Sequence, residues 1–66
     1  MLSSDKKRRL AEAVRAACLE AASKAYEQAS ISGLCGEGAW EAARGAIQAL
    51  DLGRLLKEQA KEDGQD

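Results

Sequence analysis

The stretch that decides the fold is Ser-Gly-Leu-Cys-Gly-Glu-Gly-Ala-Trp-Glu, residues 32–41, because helix-forming sequence lies on both sides of it. It contains three of the six glycines, one of the two cysteines and the only tryptophan. A glycine just beyond a helix commonly ends it, since glycine adopts positive φ angles at little steric cost. We therefore predict that one helix ends at Gly33, that Leu34 folds back onto its last turn, and that a second helix begins at residues 36–38.

The segment before this turn has the composition and periodicity of one long amphipathic helix. Its residues are mainly strong helix formers, and Ser3 or Ser4 followed by Asp5 suits its N-terminus. Leu19 and Tyr26, seven residues apart, widen its apolar face beyond what one neighbouring helix would cover. We therefore expect this helix to contact two neighbours. The narrower apolar stripe of the helix consists of Leu10, Val14, Ala17, Cys18, Ala21, Ala25 and Ala29.

The segment after the turn predicts a second helix that continues to Leu50. Trp40 supplies much of the large apolar surface on this helix, so it is predicted to be either the centre of the monomer core or a hot spot at an interface. In both cases Trp40→Ala is expected to cost several kcal/mol. Glu41 and Arg44 have the i,i+3 spacing of an ion pair. The predicted apolar face is Ala39, Trp40, Ala43, Ala46, Ile47 and Leu50.

A shift in the apolar phase at residues 51–53 predicts a short third helix over residues 52–61. Asp51 is suited to cap its first turn. This helix would turn so that its leucines reach the core, whereas residues 62–66 lack apolar anchors and are expected to be disordered. The leucines in question are Leu52, Leu55 and Leu56.

The composition predicts a small all-α domain with a thin core. The chain has no proline and no alternating β-branched residues, so no strand is predicted. A chain of 66 residues buries only about 60% of the surface that its unfolded form exposes, and alanine makes up much of its apolar content. We therefore predict an antiparallel helical hairpin with a short third helix, in one domain over residues 1–61. Two copies are expected to pair as a homodimeric bundle through the alanine-rich face.

Several classes of protein are excluded by what the chain contains. There is no histidine, and the only cysteines are Cys18 and Cys35. These are too few ligands for a structural zinc site built from one chain and too few thiols for a disulfide scaffold. No signal peptide or membrane-spanning run is evident, so we expect a cytoplasmic protein with no membrane partner. With no catalytic constellation, neither an enzymatic activity nor a cofactor is predicted.

The four consecutive cations Lys6, Lys7, Arg8 and Arg9 support one alternative function. A basic cluster of this kind contacts the phosphates of RNA or DNA in some proteins. The net charge of -1 and the pI near 5.4 argue against a general nucleic-acid binder. The alternative is therefore an accessory protein that touches nucleic acid through this cluster alone.

The residues Cys35, Gly36 and Gly38 support a second alternative, a thiol or anion-binding site. Free N–H groups at the start of a helix attract anions and lower the pKa of a nearby thiol. Gly36-Glu37-Gly38-Ala39 resembles the short Gly-x-Gly/Ala element with which enzymes of the N-acetyltransferase superfamily hold the pyrophosphate of coenzyme A. In that superfamily the loop follows a strand of a mixed sheet, but no strand is predicted for this chain. Glu37 would also place a negative charge beside the bound phosphate.

The turn and its surroundings, residues 25–52, also resemble short bacterial helical proteins of unassigned role. These carry a Gly-Leu-Cys-x-Glu-Gly-like turn before a Trp-Glu pair, and here the turn is Cys35-Gly36-Glu37-Gly38. The resemblance implies no activity, although some of those proteins carry an acetyltransferase label. The function predicted is that of a small non-catalytic helical module that binds or regulates another protein, with Trp40, Leu19, Tyr26, Ile47 and Leu50 as its core or interface anchors.

Overall fold

The computed structural model describes residues 4–62, and within them the chain is all-α. The helices are α1 (Ser4–Ile31), α2 (Gly36–Gln48) and α3 (Leu52–Glu62), and no strand occurs in this part of the chain. The predicted all-α class is confirmed, whereas the homodimeric bundle stays a prediction. Helix α2 ends two residues before the predicted Leu50, and α3 ends one residue after the predicted end, at Glu62. The other residues of the predicted disordered tail, 63–66, lie outside the described part.

The turn between α1 and α2 has the backbone geometry that its glycine predicts. Gly33 has a φ of 98°, and its N–H donates a hydrogen bond of 3.0 Å to the Ser30 carbonyl. The Leu34 N–H donates a second bond of 3.0 Å to the carbonyl of Ala29. These two bonds form a Schellman motif. The backbone of Leu34 thus returns to the last turn of α1, while its side chain lies against Gly38, where a Cβ atom would be 3.5 Å from the Leu34 Cβ.

The contacts of the chain divide into two compact units. The first, which we call the hairpin unit, contains residues 17–50, which are the second half of α1, the turn and α2. Of the described residues, the other unit combines the first half of α1, up to Ala16, with residues 51–62, which include α3. Helix α1 is continuous over 28 residues and contributes to both units.

The core is thin, as the composition predicts. Among the described residues the buried side chains are those of Ala29, Ala39 and Ala43. Small side chains let two helices approach closely, but each one removes little apolar surface from water. The predicted apolar stripe of α1 is confirmed, because each of its seven members is buried or half-buried.

The large side chains of α1 and α2 are not in this core. Trp40 is 55% exposed and Tyr26 44%, whereas Ala39, next to Trp40, is 0% exposed. The expectation that Trp40 is the centre of the monomer core is therefore wrong. A neighbouring helix covers only one face of α2, and alanines already fill that face.

Helix α3 begins where its cap predicts, but only one of its leucines is half-buried. The N–H of Arg54 donates a hydrogen bond of 3.0 Å to Oδ1 of Asp51, which confirms the N-cap. Leu55 is half-buried, whereas Leu52 is 53% and Leu56 50% exposed. The expectation that all three leucines return to the core is wrong for Leu52 and Leu56, which lie about 60° and 100° around α3 from Leu55.

Candidate interaction surface

An open groove of about 700 Å³ lies between α1 and α2 in the hairpin unit. Tyr26 and Trp40 are its large side chains, and Ala43, which is only 2% exposed, is its most deeply buried member. The groove exists because the helices meet through alanines, so their neighbouring aromatic rings project beyond the line of contact. The lining residues are Ala22, Ser23, Tyr26, Glu27 and Ser30 of α1 with Trp40 and Ala43 of α2.

Two more large apolar residues extend this surface by one heptad on each helix. Leu19 precedes Tyr26 by seven residues, and Ile47 follows Trp40 by seven, so each lies on nearly the same face as its aromatic neighbour. Leu19 is 63% exposed and Ile47 38%. We call Leu19, Tyr26, Trp40 and Ile47 the outer apolar surface. Leu50, the fifth predicted anchor, is half-buried beyond the end of α2.

The polar side chains of the groove are few, and one carries a charge. Ser23, Ser30 and Glu27 line it on the α1 side. No buried side-chain nitrogen or oxygen in the described residues lacks a hydrogen-bond partner, and no cluster of potential metal ligands occurs among them. The groove is therefore suited to apolar contact with another surface, and its chemistry offers no paired acid and base.

Cys35 occupies the N-cap position of α2, outside the lining of the groove. Its backbone is extended, with φ -71° and ψ 171°, and its thiol makes no capping hydrogen bond of ordinary geometry. The free N–H groups of Gly38 and, to a smaller extent, Glu37 nevertheless face the sulfur and lower the pKa of the Cys35 thiol. The side chain is exposed, so it is accessible to reagents in water.

Gly36 and Gly38 each leave room for a Cβ atom in ordinary van der Waals contact with a neighbouring side chain. A Cβ atom at Gly36 would lie 3.9 Å from the Tyr26 hydroxyl, and one at Gly38 would meet the side chain of Leu34. Residues 32–41 include no lysine or arginine, and Glu37 adds a negative charge to the first turn of α2. Anion binding at Cys35, Gly36 and Gly38 stays a prediction, and this segment contains no cation that would support it.

The basic cluster lies at the start of α1, outside the hairpin unit. Lys6 is half-buried, whereas Lys7, Arg8 and Arg9 are exposed. Consecutive residues of a helix are about 100° apart, so these four side chains point around the helix and do not form one basic face. Contact with nucleic acid through this cluster likewise stays a prediction.

Within residues 4–62, no helix is both long enough and apolar enough to cross a bilayer. No family model, curated protein or solved structure matches the chain. The resemblance to short bacterial helical proteins therefore stays a prediction, and the outer apolar surface must be interpreted from its own chemistry.

Sequence reasoning identified the large residues of this surface but missed the small ones that shape it. The spacing of Leu19 and Tyr26 indicates a second neighbour for α1, and both side chains are exposed in the single chain. The sequence pattern does not single out Ala22 or Ser30, because a small residue on a helix has no pattern that separates a groove floor from an ordinary surface. Ser23 and Glu27 are predicted to lie on the polar face opposite the apolar stripe, whereas both line the groove. The signal that could have found the small residues is their i±3 and i±4 spacing from Tyr26.

Proposed function

We propose that this protein is a non-catalytic helical interaction module, in which α1 and α2 form an antiparallel hairpin that binds helices of a partner. The observation that carries the proposal is that small side chains are buried while large apolar ones are exposed. In the described residues the buried side chains are alanines, while eight large hydrophobic side chains are exposed.

Four of those eight form the outer apolar surface of the hairpin unit. Scattered exposed hydrophobic residues are normal on any protein. Two aromatic residues line one groove, and each has an aliphatic residue seven positions away on its own helix. This arrangement is typical of a helix-packing surface that has not been covered. A partner helix laid along the groove would place small or apolar side chains between Tyr26 and Trp40.

Photo-cross-linking in the cells that make the protein tests this proposal. A photoreactive phenylalanine derivative at position 26 is expected to form ultraviolet-dependent adducts, because the partner lies against Tyr26. The matched control carries the same derivative at position 24, since Lys24 is exposed and does not line the groove, and lies about 200° around the same helix from Tyr26. The adducts formed from position 26 are expected to disappear when Leu19→Lys is added. Absence of adducts at position 26, or the same adducts from position 24, would contradict the proposal.

A further inference from the structure

We infer that the occupant of the groove is the same surface of a second copy of this chain, turned end for end, so that the two hairpin units form a four-helix bundle. This inference rests on the interaction-module proposal and names its partner. The alanine-rich face, expected from the sequence to join the two copies, is already used within the hairpin unit, where Ala39 and Ala43 are 0% and 2% exposed. Pairing must therefore use the outer apolar surface.

The outer apolar surface supplies part of the area that a dimer interface needs. Tyr26 is 44% and Trp40 55% exposed, so together they present about 200 Å² of surface. Leu19 and Ile47 raise the total to roughly 300–400 Å² for each copy. A standard interface takes about 800 Å² from each partner, of which the apolar core is one part and a polar rim the remainder. Ser23, Ser30 and Glu27, which line the groove, contribute to that rim.

The arrangement of large and medium side chains favours a second copy over an unrelated helix. Within the hairpin unit the aromatic pair, Tyr26 and Trp40, lies one heptad from the aliphatic pair, Leu19 and Ile47. If the second copy is rotated by a two-fold axis perpendicular to the helices, each aromatic pair meets the aliphatic pair of the other copy. Larger residues then face smaller ones at both ends, which packs evenly and closes the assembly at two chains.

A second copy would also keep the outer apolar surface covered whenever the chain is present. A small chain whose buried side chains are alanines gains little stability from its own core. A second copy of the chain is present wherever the chain is made, so binding to it would stabilise the folded chain at all times. Four-helix bundles in which helices cross at about 20° bury seams of this heptad spacing.

Sedimentation equilibrium of the full chain over about 1 μM to 1 mM tests the association. The mass is expected to rise from 7.0 kDa to twice that value, and the fluorescence of Trp40 to shift to shorter wavelength over the same range. Leu19→Lys is expected to weaken the dimer by about tenfold or more, because it places a charge in the seam. Ile31→Lys is the matched control, since Ile31 is 80% exposed and does not line the groove. If Leu19→Lys lowers the helix content, Leu19→Ala is used in its place and is expected to weaken the dimer less.

A mixing experiment tests the end-for-end arrangement. Leu19→Lys and Tyr26→Glu are each expected to dimerise poorly alone, because each change affects both ends of its own dimer. When the two variants are mixed, Lys at 19 of one copy faces Glu at 26 of the other, and the second end retains Leu19 against Tyr26. The mixture is therefore expected to recover dimers, whereas copies aligned in the same direction would show no recovery.

Three outcomes would overturn the inference: a wild-type mass that stays at 7.0 kDa across the range, a mass that grows without limit, or mixing without recovery. A strict monomer whose position 26 still cross-links to a different protein would overturn the second-copy inference alone and leave the interaction module intact. Absence of any adduct together with a strict monomer would overturn both.

Discussion

Trp40 shows how the size of one side chain determines where it lies in this protein. Its neighbour Ala39 is fully buried, but Trp40 itself is 55% exposed. An indole ring does not fit between helices that approach as closely as alanines allow, so it projects beside the contact and forms one wall of the groove. The residue with the most apolar surface is therefore placed where a second molecule can cover it.

The partial exposure of Trp40 lowers the expected cost of its removal from the single chain. Trp40→Ala is predicted to cost about 1–2 kcal/mol at concentrations where the protein is a monomer, compared with about 3–5 kcal/mol for a fully buried tryptophan. Urea unfolding followed by circular dichroism measures this difference. Ile31→Ala, at a residue 80% exposed, should change stability by less than about 0.5 kcal/mol. A loss of about 3 kcal/mol or more for Trp40→Ala would contradict the exposed placement.

Cys35 is predicted to have a thiol pKa lower in the folded chain than in the unfolded chain. The cause is the pair of free N–H groups of Gly38 and Glu37, which stabilise the thiolate at the helix start. The rate of alkylation by iodoacetamide against pH, measured in a Cys18→Ala background with and without urea, reports both pKa values. An apparent pKa that is equal in the two states, or higher in the folded state, would contradict this prediction.

The same difference determines the sign of the pH dependence at Cys35. Because the folded pKa is the lower one, the folded chain holds the thiolate at a pH where the unfolded chain still holds the thiol. The contribution to stability is therefore fully present above the unfolded pKa and is lost as the pH falls through the folded pKa. Replacing Cys35 by serine should remove this part of the pH dependence.

At the scale of the helices, two glycines are predicted to respond to the same substitution with opposite signs. Gly33 has a φ of 98°, so Gly33→Ala should destabilise the protein by about 1–2 kcal/mol. Gly45 lies inside α2, is exposed, and has no atom within 4 Å of the position of an added Cβ. Gly45→Ala should therefore stabilise the protein by about 0.5–1 kcal/mol.

Urea unfolding of the two alanine variants beside the wild type checks this pair of predictions. Each variant is the control for the other, because the added methyl group is the same and only the backbone conformation differs. Changes of the same sign would show that one of the two backbone conformations is wrong.

The ends of the helices are also the part of the fold that sequence reasoning predicted best. Gly33 ends α1, and Asp51 caps α3 with a hydrogen bond of 3.0 Å to the Arg54 N–H. The predicted ion pair of Glu41 and Arg44 is present at 3.7 Å. All of these interactions join residues within about five positions of one another, so the sequence pattern contains both partners. The end of α2 was predicted two residues too late, since no capping side chain marks it.

At the scale of the whole molecule, helix formation in this chain does not depend on the burial of large side chains. Its helices are supported by composition and caps, but the buried side chains of the described part are alanines, which contribute little hydrophobic stabilisation each. Stability gained by association would then be a large fraction of the total. The thin core and the proposed interaction module are therefore related, because the large apolar side chains that lie outside the core form the surface that would bind a partner.

What the sequence by itself determined is the all-α class, the places where two of the helices begin or end, and which residues form the apolar stripe of α1. These follow from backbone conformation, capping and a period of 3.6 residues, which are local properties. Only the tertiary structure decided that alanines fill the contact between α1 and α2 while Tyr26 and Trp40 remain beside it. Helical periodicity places a residue on a face, but the separation of two packed helices determines whether a large side chain on that face fits between them.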